Sequence, residues 1–240
     1  MDLNRKRMNA GITAEDNRSE LSAGSTVTLE ITAYGSEGQG IARHNGMAVF
    51  VPGAICGETV EAEIKKAAPS FAEAKLQKIL RPSAERVIPP CPHYAECGGC
   101  DILHMSYAEQ LRMKRETVRS AMERIGGFRG IEILPCIGAD KPEHYRNKAV
   151  FQFANAEKTN KKKLRQVLSG YYEQKSHKLV PVETCMIQNE EAMTAKRIVA
   201  EWANLFDIRA FDEKQKSGTL RQLMVRLSLI HISEPTRLAL

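Results

Sequence analysis

Three of the chain's six cysteines fall within ten residues, in CPHYAECGGC at positions 91–100, with Gly98 and Gly99 between the last two. Thiols so close in sequence are either small inert side chains or ligands of one metal centre, and a centre that needs a further ligand draws a distant stretch of chain to the same point. Residues 1–24 contain no apolar signal core, and no run approaches the roughly 18 apolar residues of a membrane helix. A soluble, cytoplasmic chain with no membrane partner is expected, its thiols kept reduced. Tetrahedral thiolate sites hold zinc or an iron–sulfur cluster. Zinc usually joins two paired knuckles, whereas C-x5-C-x2-C stands here without a second one; a cubane cluster takes three ligands from a compact run and a fourth from afar. Cys56 in VPGAICGE and Cys136 in ILPCIG read as buried small hydrophobes. That leaves Cys185, in VPVETCMIQ, as the fourth ligand. On pattern alone, iron–sulfur, zinc and inert thiols all remain open.

Ahead of the cysteines, TVTLEITA (26–33) alternates as a half-buried strand must, with Val27, Leu29 and Ile31 on one side. GQGIARH and MAVFV follow, joined by Asn45-Gly46, a dipeptide that accepts the positive φ angles of a tight hairpin. TVEAEIKK (59–66) and FAEAKLQKIL (71–80) alternate again, placing Val60, Ala62, Ile64, Ala72, Ala74 and Leu76 inward. Five short strands within about sixty residues predict a closed or nearly closed barrel of the oligonucleotide-binding kind. GSEGQG (35–40) leads into a strand rather than a helix, so it reads as a turn and not as a phosphate loop.

After Pro82 a Pro-stiffened stretch enters the cysteine run. Ser106 and Glu109 then form an S-x-x-E capping box opening a helix on which Leu111, Val118, Met122 and Ile125 recur, and Gly126-Gly127 closes it. HYRNKAVFQFAN (144–155) and QVLSGYYEQ (166–174) predict a hairpin whose loop carries the basic block EKTNKKKLR. A second helix is expected from Asn189, burying Ile198, Val199, Trp202, Leu205 and Phe206. The net charge of +6 is central: residues 90–188 hold 16 basic against 11 acidic side chains, while 25–89 balance at 7 and 7. Arg146, Lys148, Lys161, Lys162 and Lys163 are candidate phosphate contacts, with a solvated loop as the competing reading of the lysines. On the neutral barrel, Arg43, His44 and Phe71 are the candidate RNA contacts.

Taken in order, VFVPGAICGETVEAEI, the C-x5-C-G-G-C run followed by His104, HYRNKA, GYYEQKSH, VETCMIQ and LRQLMVR are similar to the RNA (uracil-5-)-methyltransferases that carry an N-terminal TRAM domain. The similarity runs nearly continuously over residues 25–226, and joint possession of barrel and cysteines resembles the 23S ribosomal RNA type more than the transfer RNA type. It implies that Cys91, Cys97, Cys100 and Cys185 bind a [4Fe-4S] cluster. Two positions depart from the family's usual pattern, Leu103 where a Gln is usual and Gln222 where a His is usual. The expected fold is therefore α+β: a disordered tail (1–24), a five-stranded OB-like TRAM barrel (25–82), an iron–sulfur-bearing α/β domain (83–226) and a tail (227–240) outside the family pattern.

The resemblance also implies a chemistry. A cysteine thiolate adds to C6 of a uracil flipped out of its RNA, C5 takes a methyl group from S-adenosylmethionine, and a carboxylate removes the C5 proton. In the family that machinery lies in a C-terminal Rossmann-like domain, and no strand, glycine loop and acid of that type occurs in these 240 residues. SLIHISEPTRLAL (228–240) resembles out-of-frame or adapter-derived translation. The expectation is thus an N-terminal fragment, inactive alone, monomeric, that binds ribosomal RNA and not DNA. Two alternatives are a stand-alone RNA-binding or chaperone module with a metal-stapled domain, and a transfer RNA (uracil-C5)-methyltransferase.

Overall fold

The computed structural model describes residues 21–156 and 166–228. Lys161, Lys162 and Lys163, and almost all of both expected tails, lie outside these residues. The chain divides into two compact units between Ala84 and Glu85.

In the first unit the alternating segments become β1 (Thr26–Tyr34), β2 (Gly40–His44), β3 (Met47–Val51), β4 (Thr59–Ala67) and β5 (Phe71–Arg81). They close into a barrel in the order β1-β2-β3-β5-β4, as expected, with β4 back against β1. The pairs are antiparallel except β3 with β5, which run parallel. The inward set is the one the alternation dictates: Leu29, Ile31, Val60, Ala62, Ile64, Ala72 and Ala74 are buried, joined by Ala42, Val49 and Val51, while Val27 and Leu76 pack at its margin. Asn45 (φ 48°) and Gly46 (φ 83°) both adopt positive φ, the mirror-image turn whose twist matches two antiparallel strands. GSEGQG is the turn between β1 and β2.

One buried acid holds the barrel's loop end. Glu58 is fully buried, and its carboxylate accepts from the Ile55 N–H (2.9 Å) and the Ser83 N–H (3.3 Å), tying the β3–β4 connection to the chain leaving β5.

The second unit is built on an antiparallel sheet in the order β8-β7-β6-β9, formed by β6 (Lys148–Asn155), β7 (Val167–Tyr172), β8 (Leu179–Pro181) and β9 (Gln222–Arg226). The predicted hairpin is β6–β7. Helix α1 (Tyr107–Ser120) runs on into a π-helical turn, Ala121–Ile125, and helix α2 (Glu190–Leu205) packs on the face of β6 that carries Ala149, Phe151 and Phe153. Asn189 caps α2 by accepting from the Glu191 N–H at 3.0 Å.

Three expectations fail here, each for a packing reason. The face of α2 turned to the sheet carries Ala192, Lys196 and Ala203, with Val199 beside them; Ile198, Trp202, Leu205 and Phe206 are exposed on the other side. Phe151 and Phe153 already fill the space above β6, so the helix approaches with small side chains. The S-x-x-E box is half formed. Ser106 accepts from the Glu109 N–H (3.1 Å), but the Ser106 N–H donates to the Glu85 carbonyl (2.8 Å), and the buried Glu109 carboxylate takes both prongs of Arg112 at 2.6 Å. The apolar stripe of α1 is not a core: Val118 and Ile125 are exposed, and Met113 is buried instead. The neighbour of α1 is not a strand but the irregular stretch at 133–139, which accepts from the Arg115 Nε at Ile133 O (2.7 Å) and donates from Ala139 N to the Tyr107 hydroxyl (2.7 Å).

Replacing Glu58 with Ala removes the acceptor of the buried Ile55 N–H and of the part-buried Ser83 N–H. The expected cost is about 2–3 kcal/mol, read as a lower midpoint for the barrel's transition in denaturant unfolding. Glu58→Gln, which keeps an acceptor oxygen, should lose less.

Candidate metal centre

Two strands of chain build the site from opposite sides. The first is the cysteine run, folded as tight turns in which Cys97 N–H donates to His93 O (2.7 Å) and Tyr94 N–H to Cys91 O (3.2 Å). This loop is docked on the end of β7: Gly98 N–H donates to Tyr172 O (3.0 Å), and Cys97 bridges to Glu173. Gly98 is required by that approach, since a Cβ there would lie 2.9 Å from Gln174 N and 3.0 Å from Tyr172 O. Tyr94 closes the far side, its hydroxyl donating to Asp101 O (2.8 Å) with His104 Nδ1 at 2.6 Å.

The second is the stretch leaving β8. Val182 N–H donates to Ser169 O (3.2 Å) on β7, and the Lys196 ammonium, buried on α2, donates to Val182 O. On the other side His144 N–H reaches Met186 O (2.7 Å) and Arg146 N–H reaches Ile187 O (2.9 Å). Cys185 is thus held between β7, α2 and the chain entering β6. The result is one cavity whose wall contains all four expected thiols, Cys91, Cys97, Cys100 and Cys185. Each is partly buried.

Cys56 and Cys136 stay outside this wall, as expected, but they are not the buried side chains that the sequence suggests. Both are only partly buried, and Cys136 sits in a stretch whose Leu134 and Ile137 are 70% and 96% exposed. That stretch meets α1 through Arg115 and Tyr107, and its Leu134 and Ile137 side chains face outward.

The electrostatics of the cavity disfavour bare thiolates. Burial pushes the Cys97 thiol up, and pushes Cys100 up to about 11, with Cys185 adding to the rise and Arg146 opposing it. Burial likewise raises the Tyr171 hydroxyl, again reinforced by Cys185, and lowers the Lys196 ammonium against the pull of Glu183 and Cys185. Thiols placed like this ionise when positive charge enters among them, and soft sulfur donors select a metal for that task. Among the described residues no three His, Cys, Asp or Glu side chains are gathered so as to hold a metal ion. A tetrahedral zinc with bonds of about 2.3 Å needs sulfurs about 3.8 Å apart.

The other expected site residues are scattered. Arg146 is partly buried in the cavity wall beside Cys100 rather than displayed for phosphate. Lys148 is exposed at the start of β6, paired across the ladder with Arg226. On the barrel, Arg43 and Phe71 both flank Ala48 along one row of the β2-β3-β5 ladder, and Phe71 meets Phe50 edge-on at 6.0 Å. His44 is next to Arg43, partly buried. Sequence reading missed Tyr171, Gln188 and Lys196. Only Lys196 left a trace, as a lysine on the stripe of Ala192, Val199 and Ala203.

Comparison with known proteins adds the following. Residues 20–76 match the TRAM domain, in agreement with the expectation for the barrel. The chain is 41% identical over 202 residues to an uncharacterized RNA methyltransferase of Clostridium tetani, covering 84% of this chain and 42% of that protein. It is 35% identical over 208 residues to another of Enterococcus faecalis, covering 86% and 44%. The chain therefore spans less than half the length of these curated relatives. Among solved structures it resembles a Pyrococcus abyssi tRNA (uracil-54, C5)-methyltransferase in complex with S-adenosyl-L-homocysteine, with a TM-score of 0.56 and 22% identity over 83% of this chain and 42% of that one, a likeness of fold.

Gly98→Ala should lift the cysteine loop off β7 and lower the protein's capacity to retain metal, together with a loss of stability of about 1–3 kcal/mol. Gly99→Ala is the control, because its nearest contact would be the Cys97 sulfur at 3.4 Å. Metal retained after dialysis, measured for both variants, checks this; equal retention would show that the close approach at Gly98 is not what seats the loop.

Proposed function

We propose that this chain provides the RNA-binding barrel and a [4Fe-4S]-bearing domain of an S-adenosylmethionine-dependent RNA (uracil-C5)-methyltransferase acting on ribosomal RNA. The observation that carries the reading is the convergence of Cys91, Cys97, Cys100 and Cys185 on one cavity across the 84 residues that separate Cys100 from Cys185. The TRAM match of the barrel and the names of the relatives support the RNA and methyltransferase parts.

The four cysteines would hold the cluster as thiolates, and the chemistry it supplies when bound is a positively charged core that lets them ionise and cross-links the two stretches of chain. Arg146 offsets thiolate charge at Cys100, and Lys196 fixes the stretch that presents Cys185. On the barrel, the Arg43 guanidinium binds phosphate while the Phe71 ring, braced by Phe50, offers a face for an unpaired base. His44 extends that surface, and Lys148 with Arg226 and the Lys161, Lys162 and Lys163 block adds phosphate contacts from the second unit.

Anaerobically purified protein is expected to be brown and to hold about four irons per chain. Cys185→Ser should lose the iron as completely as Cys97→Ser, while Cys56→Ser and Cys136→Ser keep it. Iron and zinc analysis of the five proteins decides the matter, and a colourless protein with one zinc sinks the cluster.

RNA binding supplies a separate check. Changing Lys161, Lys162 and Lys163 together to Gln should flatten the slope of log affinity against log salt by about 2. Phe71→Leu should weaken binding to unpaired RNA at every salt concentration and leave the slope alone. Titration of 23S ribosomal RNA fragments against transfer RNA tests the substrate class, and a preference for transfer RNA would overturn the ribosomal assignment.

A further inference from the structure

Tyr171 lies on β7 in the wall of the cysteine cavity. Its ring is braced by Phe151 at 5.4 Å, and its backbone pairs with Val180 across the β7–β8 ladder, so the side chain is held from both sides. Its hydroxyl is buried and has no partner at good hydrogen-bond geometry among the described residues, although the Gln188 side chain lies near enough to act on it. A buried hydroxyl without a partner is disfavoured, and such groups are rare in folded proteins unless something completes them. Cys185, Cys97, Arg146 and Gln188 line the same cavity. A phenol is protonated at neutral pH and donates; a thiolate or sulfide accepts.

We propose that the Tyr171 hydroxyl donates a hydrogen bond to a sulfur of the metal centre held by the four cysteines and thereby slows the loss of that centre. The inference rests on the metal reading above. Hydrogen bonds to ligating sulfur stabilise its negative charge and, around clusters, help to set their properties. Tyr171 is a positioning residue in this scheme, acting on the ligands and not on any substrate. Gln188 offers the competing arrangement, since its Oε1 is also buried and without a partner among the described residues, and a small rotation would let the phenol satisfy it instead.

The two arrangements differ in what happens when the metal is absent. If the hydroxyl serves the centre, Tyr171→Phe keeps the ring and its contact with Phe151 but removes a group that has no partner in the metal-free protein. The melting temperature of the metal-free variant should then equal or exceed that of the wild type. In the iron-loaded protein the same change should speed loss of iron to a chelator several-fold, and should remove part of the shift that the iron–sulfur(Cys) stretching bands show on transfer to D2O. A wild-type rate of iron loss with an unchanged D2O shift in Tyr171→Phe overturns this inference alone. A lowered melting temperature in the metal-free variant also overturns it, and assigns the hydroxyl to Gln188. A wild-type protein that takes up no iron overturns the metal reading and this one together.

Discussion

Cys91, Cys97, Cys100 and Cys185 are gathered around one cavity, where burial resists ionisation of Cys97 and Cys100 and the neighbouring sulfurs add to that resistance. The chain also gives up freedom to bring them together. Closing the 84-residue span between Cys100 and Cys185 costs roughly 4 kcal/mol by the logarithmic loop law. Against this stand the backbone bonds from Gly98 to Tyr172, Val182 to Ser169, His144 to Met186 and Arg146 to Ile187, at about 1 kcal/mol net apiece. The two figures nearly cancel. Backbone clamps can therefore place the cysteines, but they leave little to offset the crowding of their charges, and that remainder falls to whatever the thiols bind.

The barrel works on other terms. Its core is aliphatic and its alanines, Ala42, Ala62, Ala72 and Ala74, keep the strands close enough to close. Its only fully buried charge among the described residues, Glu58, is spent on backbone donors at the loop end, away from the outward row of Arg43, Ala48 and Phe71. A closed scaffold with Arg43 and the braced ring of Phe71 on one outward row can present the two in a fixed geometry.

How much of this was legible in the sequence depended on which periodicity was being read. Period two is unambiguous once one face is polar, so Leu29, Ile31, Val60 and Ala62 fell where alternation put them, and Asn45-Gly46 named its own turn. Helical periodicity is not so decisive when both sides of a helix are apolar. On α2 the bulky stripe of Ile198, Trp202 and Phe206 looks like the core, yet the face turned to the sheet's phenylalanines is that of Ala192, Lys196 and Ala203, with Val199 packed beside them. Side-chain volume misled the reading because the complementary surface was not in view. Cys185 was found by elimination, whereas Tyr171, Gln188 and the role of Arg146 depended on strand register and on the route of the chain from 144 to 147, which no local pattern encodes.

Charge and spacing together restrict what the cavity suits. The cavity wall carries Arg146 beside the four cysteines, while the Lys196 ammonium, which donates to Val182 O, has its hold on its proton lowered by burial. An occupant that ionises all four thiols would therefore have to bring positive charge of its own. A single zinc meets the charge requirement but asks the sulfurs to draw in to about 3.8 Å. A metal–sulfide core, the occupant proposed above, meets the same charge requirement from a larger radius.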